Sequence, residues 1–153
     1  MTRRYAIVGC GKAKKDESAP AKELYTSTFF EKKREFAEVF ARRWWILSAE
    51  HGLVEPDTVL EPYDTTVEDL DDRERYELRR DVRDTFKRTF DGVVNARVDV
   101  LAGRDYVDLV APVLDAEEFL DRGILAKYPL QGFGGIGEQM QHLNRKVKQE
   151  LDT

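Results

Sequence analysis

Three short strand-like segments stand out along the chain: the apolar runs at residues 5–9 and 44–47, and the segment Arg97-Val-Asp-Val-Leu-Ala102. Each leads directly into a loop that contains glycine or serine. Short apolar runs bounded by turn residues are typical of buried β-strands. The sequence therefore predicts at least three strands.

Between and after these runs, apolar residues recur at helical spacing in four segments. The stripes consist of Phe29, Phe36, Val39 and Phe40; of Leu78, Val82, Phe86 and Phe90; of Tyr106, Leu109, Val110 and Val113; and of Ile136, Met140, Leu143, Val147 and Leu151. Thr28 with Glu31, and Thr65 with Glu68, have the capping-box pattern and predict the starts of the first two helices. The arginines of the second helix predict a solvated face with intrahelical ion pairs.

Alternation of strands and helices predicts the fold class. We expect a single three-layer Rossmann-like α/β domain over residues 1–153, with a mostly parallel sheet of three to five strands and helices on both faces. Residues 16–22 are polar and predict a loop. The pattern at 115–129 leaves open whether that region adds a fourth strand.

The predicted topology places several polar loops on one edge of the sheet. A strand–helix–strand crossover is right-handed, so the loops at 9–12 and 48–52 lie on the same carboxyl edge. Ligands of open α/β sheets bind at that edge. We therefore expect residues 9–12, 48–52 and 61–64 to surround one cavity.

Composition narrows the class of protein. The chain has 153 residues, of which 41% are hydrophobic and 36% charged, and a net charge of −5. No apolar stretch is long enough for a membrane span, and the first residues do not resemble a secretory signal, so we expect a cytoplasmic protein without membrane contact. An acidic chain binds nucleic acid only through a local basic patch, such as Lys12, Lys14 and Lys15 or Arg145, Lys146 and Lys148.

The sequence predicts neither a cofactor nor a metal. It contains no P-loop and no dinucleotide fingerprint, and Cys10, His51 and His142 do not have the spacing of zinc ligands. Cys10 also lacks the histidine spacing of a catalytic triad. A single cysteine agrees with a reducing compartment.

The first loop contributes Gly9, Cys10, Gly11 and Lys12. The glycines permit positive φ or a close approach to a ligand, and Lys12 supplies a positive charge. This loop is interpreted either as a cradle for an anion or a base, or as a tight strand exit followed by a solvated lysine cluster.

The segment 44–64 carries most of the candidate chemistry. His51, Glu61 and Asp64 are candidate catalytic residues. Candidate ligand contacts on the same and neighbouring loops are Tyr25, Ser48, Gly52, Tyr63, Arg104 and Gln139. Structural alternatives stay open, because a histidine before glycine can cap a strand exit and Glu61 can form a salt bridge. The glycine-rich loop at 130–137 is either an anion site or a flexible closure.

Four stretches carry a resemblance to a known family. The order G-C-G-K, A-P-A-K-E-L-Y-T-S-T-F-F, W-I-L-S-A-E-H-G-L-V-E-P and E-P-Y-D closely resembles the family called domain of unknown function 6884 over residues 5–66. It is more distantly similar to YaaA-type peroxide-stress proteins. The wider resemblance implies a compact α/β domain associated with nucleobases or nucleic acids.

The implied association with nucleobases leads to a chemical hypothesis. Cleaving an N-glycosidic bond requires a carboxylate near the sugar, a group that holds or protonates the base, and a stacking surface. The candidates for these three groups are, in the same order, Glu61 or Asp64, His51 or Lys12, and Tyr63 or Tyr25. We expect N-glycosidic hydrolysis or base transfer, with a nucleobase-containing small molecule or single-stranded nucleic acid as partner. The alternatives are a non-catalytic nucleotide- or DNA-binding domain and an accessory structural subunit.

Overall fold

The structure is a computed structural model that describes residues 2–153. In chain order its elements are β1 (Arg3–Gly9), β2 (Ala19–Pro20), α1 (Ala21–Leu24), α2 (Thr28–Phe40), β3 (Arg43–Ser48), β4 (Gly52–Val54), β5 (Val59–Leu60), α3 (Asp72–Thr89), β6 (Ala96–Leu101), α4 (Arg104–Leu114), α5 (Glu117–Leu120), β7 (Ile124–Lys127) and α6 (Ile136–Leu151). A 3-10 turn at Val67–Asp69 precedes α3.

Five strands form the main sheet in the order β4-β3-β1-β6-β7. Strands β3, β1, β6 and β7 are parallel, and β4 runs antiparallel to β3. This arrangement confirms the predicted mostly parallel sheet. The region 115–129 contributes both α5 and the fourth parallel strand, β7.

The sheet separates two hydrophobic cores. Tyr5 and Ile7 of β1 face a core shared with α3, α4 and α5. Ala6 and Val8 face the opposite core, shared with α1, α2 and α6. Because successive side chains of a strand point to opposite faces, one apolar run serves both cores. The three-layer prediction is confirmed. Within residues 2–153, no helix combines the length and apolar character needed to cross a lipid bilayer.

The helix starts differ from the predicted capping boxes. Ser27, rather than Thr28, caps α2, and its side chain accepts the N–H of Phe30. The pair of Thr66 and Asp69 caps only the 3-10 turn. A second capping box, formed by Asp71 and Glu74, begins α3. The predicted boxes Thr28 with Glu31 and Thr65 with Glu68 are therefore wrong: the cap of α2 lies one residue earlier, at Ser27, and α3 begins after Asp71 rather than after Thr65.

Two further predictions require correction. Residues 16–22 are not only a loop, because β2 pairs antiparallel with β5 and leads into α1. Pro20 fits there since the strand has only two residues and a single partner.

The arginines of α3 do not all form intrahelical pairs: Arg79 donates to the carbonyl oxygen of Leu109 in α4, and Arg83 pairs with Glu118 of α5. These arginines fasten α3 to its neighbours.

Gly9 and Gly11 do not have positive φ, so neither glycine uses the left-handed conformation that its residue type permits. Gly9 is needed for close strand packing instead. A Cβ atom at Gly9 would lie 2.9 Å from the Cβ atom of Ala102 and 3.3 Å from its Cα atom. The close approach at Gly9 is thus to Leu101 and Ala102 at the end of β6.

Gly9→Ala is expected to lower the free energy of unfolding by about 1–3 kcal/mol, because the added methyl group overpacks against the Ala102 backbone. Urea denaturation followed by circular dichroism measures the change. Adding Ala102→Gly removes the nearest clashing atom and should restore part of the loss. Gly137→Ala, where no heavy atom lies within 4 Å of the new Cβ, is the matched control and should not destabilise the protein. Equal losses at both glycines would contradict the packing explanation.

Candidate functional site

A cleft of about 300 Å³ opens at the carboxyl edge of the sheet, beside the ends of β1 and β6. These neighbouring strands send their following helices to opposite faces, since α2 packs in one core and α4 in the other. Such a switch point is where open α/β sheets bind ligands. The lining residues are Cys10, Gly11, Lys12, Ser27, Phe29, Lys33, Thr65, Thr66, Val67, Glu68, Gly103, Arg104, Asp105 and Tyr106.

Two helix N-termini reach this cleft. Its lining includes Ser27 and Gly103, the residues that precede the first turns of α2 and α4. Gly103 provides no side-chain cap, so the first-turn N–H groups of α4 have no capping side chain. Backbone N–H groups at a helix start carry partial positive charge and favour anions. The cleft is therefore suited to a negatively charged group.

Cationic side chains also border the cleft. Lys12 and Arg104 are exposed, whereas Lys33 is only 4% exposed. Lys33 Nζ donates to the carbonyl oxygen of Gly9 at 2.8 Å and lies 4.4 Å from the centre of the Phe29 ring. Burial lowers the pKa of Lys33 to about 8, against a smaller raising effect of Cys10. A large share of Lys33 is therefore the neutral amine slightly above neutral pH.

Cys10 and Tyr106 meet at the base of the loops that follow β1 and β6. Cys10 Sγ lies 3.0 Å from Tyr106 Oη, and either atom can donate the hydrogen bond. Burial, together with the nearby Cys10, raises the pKa of Tyr106 well above its usual range. Tyr106 is thus a neutral hydrogen-bonding group at any ordinary pH.

A hydroxyl network connects the segment 48–64 to residues near the first loop. Ser48 Oγ accepts the N–H groups of Glu50 and His51, both at 3.1 Å. A hydroxyl oxygen has two acceptor positions, so Ser48 donates its own hydrogen to Tyr63 Oη, 2.7 Å away. Tyr63 Oη and Tyr25 Oη form a further hydrogen bond at 2.5 Å, in which either hydroxyl can donate.

The hydroxyl network also explains the position of Lys14, one of the three lysines of the basic cluster near the start of the chain. Lys14 Nζ lies 4.4 Å from the centre of the Tyr63 ring and donates to the carbonyl oxygen of Lys12. Burial raises the pKa of both Tyr25 and Tyr63 above the usual range. Lys14 therefore packs against neutral aromatic rings, and of the three clustered lysines only Lys12 borders the cleft.

The structure gathers only some of the predicted site residues. Of these, Cys10, Gly11, Lys12 and Arg104 line the cleft. Gly9 is buried directly behind it, and Tyr25, Ser48 and Tyr63 form the hydroxyl network. The remaining predicted residues, outside both the cleft lining and the hydroxyl network, are His51, Gly52, Glu61, Asp64 and Gln139.

The expected single cavity bordered by 9–12, 48–52 and 61–64 is therefore wrong. Residues 65–68 take the place of the second and third loops. His51 is exposed, and its ring is nearly perpendicular to the ring of Tyr63, with the ring centres 5.2 Å apart. Glu61 and Asp64 are exposed as well. Whether these three residues take part in chemistry stays a prediction.

Several cleft residues were not predicted. The clearest is Lys33, which lies between Phe30 and Phe36 on the buried side of α2. A lysine within an apolar helical stripe is the signal that sequence reasoning missed. Glu68 and Asp105, the two carboxylates in the lining, were likewise not identified as site residues.

The glycine-rich loop before α6 has an internal partner for its amide. The N–H group of Gly134 donates to Glu138 Oε2 at 2.7 Å. The carboxylate of Glu138 thus takes the place that an external anion would occupy at that amide. Within residues 2–153, no three histidine, cysteine, aspartate or glutamate side chains are grouped as metal ligands.

Comparison with known proteins identifies the family. The model of a family of unknown function, DUF6884, matches residues 5–145. The chain is also 28% identical over 157 aligned residues to the uncharacterized protein YfjM of Bacillus subtilis (strain 168), and the match covers 97% of each chain. Since the family model spans the five-stranded sheet and most of α6, the chain belongs to the DUF6884 family.

Proposed function

We propose that the cleft binds a phosphorylated, nucleobase-containing small molecule and that the protein cleaves or exchanges its N-glycosidic bond. The observation that carries the proposal is the convergence of two helix N-termini with Lys12 and Arg104 at the switch point of the sheet. Helix starts and cations together form a binding site for phosphate.

The phosphate would lie near the starts of α2 and α4. The protein has a net charge of −5, so attraction of an anion requires a local positive field. Lys12 and Arg104 provide that field on the exposed side of the cleft. Because both are exposed, salt should weaken their contribution.

The base would pack against the aromatic lining. Phe29 and Tyr106 both border the cleft, and Val67 adds apolar surface. A volume of about 300 Å³ lies at the lower end of small-molecule sites, which suits one nucleotide rather than a duplex.

A carboxylate is needed to stabilise the oxocarbenium-like transition state of glycosidic cleavage. Glu68 and Asp105 line the cleft and are better located for this role than the predicted Glu61 and Asp64. We therefore assign the carboxylate role to Glu68 or Asp105.

To test the function, a panel of nucleoside monophosphates is incubated with the protein, and free base is measured by chromatography beside binding by calorimetry. We expect release of base from at least one nucleotide. Lys12→Ala and Arg104→Ala should each weaken binding about tenfold, because each removes a charged contact worth roughly 1.5 kcal/mol. Lys15→Ala, an exposed lysine outside the cleft, should bind as wild type does. Binding that is insensitive to salt and to both variants would contradict the proposed phosphate site.

The second candidate function is nucleotide or single-stranded nucleic-acid binding without catalysis. The exposed positions of His51, Glu61 and Asp64 outside the cleft favour it, because three candidate catalytic groups are not beside the ligand site. Saturable binding with no release of base would support this candidate. Absence of binding to every nucleotide and oligonucleotide would leave the accessory structural role.

A further inference from the structure

Lys33 is the one cleft residue with a buried amine, and the phosphate contacts proposed above do not use it. Its side chain is only 4% exposed although it borders the cleft. Nζ donates to the Gly9 carbonyl oxygen at 2.8 Å, and within residues 2–153 no carboxylate lies within salt-bridge distance of it. Packing of α2 against β1 does not by itself require a buried lysine without an acidic partner.

We propose that Lys33 is the nucleophile that attacks the sugar carbon C1′ of the bound nucleotide and forms an imine with it. The proposal rests on the proposed function and specifies its catalytic group. Buried lysines in apolar surroundings act as amine nucleophiles toward carbonyl and related carbons. The Phe29 ring, with its centre 4.4 Å from Nζ, provides such surroundings.

The reaction is balanced without any added oxidant or reductant. A bond forms between Nζ and C1′, the bond from C1′ to the base breaks, and its electron pair leaves with the base. The base takes up the proton that Nζ loses. The ring oxygen then leaves C1′ and takes the second Nζ proton, which gives an open-chain imine. Water hydrolyses the imine, releases the sugar phosphate as an aldehyde and restores the amine.

The protonation state of Lys33 supports this role. Its pKa of about 8 leaves roughly a quarter of the amine neutral at pH 7.5. An ordinary lysine is neutral in roughly one molecule per thousand at that pH. The charged and titratable groups that line the cleft around it are Cys10, Lys12, Glu68, Arg104, Asp105 and Tyr106.

The test traps the imine on the wild-type protein. The protein is incubated with ribose 5-phosphate, the sugar product of the proposed reaction, and sodium cyanoborohydride, and the modified lysines are mapped by proteolysis and mass spectrometry. We expect a reduced pentose phosphate on Lys33 at least tenfold faster than on the exposed Lys12 or Lys15. The labelling rate should rise with pH with a midpoint near 8.

Release of base is measured in parallel so that two failures can be told apart. Lys33→Arg keeps a cation but removes the nucleophile, so it should lose both the adduct and the release of base, whereas Lys32→Arg should keep both. Base release that persists in Lys33→Arg, or labelling that is equally fast on exposed lysines, overturns the role of Lys33 and leaves the proposed function intact. An adduct on Lys33 without base release from any nucleotide overturns the N-glycosidic function, and with it this role.

Discussion

Replacing Arg4 and Arg97 together by methionine is expected to lower the free energy of unfolding by about 3–5 kcal/mol. Both arginines pair with Asp99, which is only 1% exposed. Arg4 Nη2 lies 2.9 Å from Asp99 Oδ2, and Arg97 Nη2 lies 2.9 Å from Asp99 Oδ1. Methionine retains the apolar stems, so the variant chiefly removes the two positive charges and leaves a buried carboxylate without a partner.

The reverse substitution should be milder. The side chains of Arg4 and Arg97 are 32% and 41% exposed, so both can turn to water when Asp99 is replaced. Asp99→Asn should therefore lower the free energy of unfolding by only about 1–2 kcal/mol. Urea denaturation at pH 7 measures both variants. Arg73→Met, which breaks an exposed pair with Glu77, is the control and should change stability by less than about 1 kcal/mol.

A smaller loss in the double arginine variant than in Asp99→Asn would contradict this explanation. That result would mean that the Asp99 carboxylate reaches water or another donor once the arginines are gone. It would also mean that the pairing of β1 with β6 depends on its backbone hydrogen bonds and not on the ion pairs of Asp99.

The central strands were predictable because a parallel sheet is covered on both faces. The buried parts of β1 and β3 are therefore continuous apolar runs, and β6 departs from this pattern at Arg97 and Asp99. Strand β7 was not predictable from pattern, since it lies at the edge of the sheet and its residues Leu125 and Lys127 are exposed. Because an edge strand is less covered by neighbouring elements, its sequence lacks the continuous apolar pattern that identifies a buried strand.

The start of α2 was predictable to within one residue, whereas α3 begins after Asp71 and not after the predicted Thr65. Residues 26–28 are Thr, Ser and Thr, and any of the three can accept a backbone N–H group. In the structure it is the side chain of Ser27 that accepts the N–H group of Phe30, and the sequence alone does not distinguish Ser27 from its two neighbours.

The site was partly predictable for a similar reason. The loops after β1 and β6 follow from strand order, and they contribute Cys10, Lys12 and Arg104 to the cleft. The segment 48–64 was expected to do the same. Instead, pairing of β5 with β2 anchors this segment, and Tyr63 bonds to Ser48 and Tyr25. That pairing depends on tertiary contacts that periodicity does not encode.

Between pH 8 and 10, the free energy of unfolding of the wild-type protein is expected to rise, and Lys33→Met should lack this contribution. Burial lowers the pKa of Lys33 in the folded state to about 8, from 10.5 in the unfolded chain. In this window the unfolded state binds more protons than the folded state, so stability increases with pH. The contribution of Lys33 from pH 8 to 10 is about 2 kcal/mol.

The buried tyrosines act in the opposite direction at higher pH. Burial raises the pKa values of Tyr25, Tyr63 and Tyr106 in the folded protein. Unfolded tyrosines lose their protons near pH 10, so stability falls as the pH passes that value. These hydroxyls are present in wild type and variant alike. The difference between the two stability curves therefore isolates Lys33.

Urea denaturation at half-unit steps from pH 7 to 10 provides those curves, and Lys32→Met, at the neighbouring, more exposed lysine, is the control that should keep the rise. If Lys33→Met follows the wild-type curve, then Lys33 is fully charged in the folded protein at pH 8. A charged amine is not a nucleophile, so this single result would also remove the chemical basis for imine formation at Lys33. A difference of about 2 kcal/mol would instead establish a neutral amine in the cleft near physiological pH.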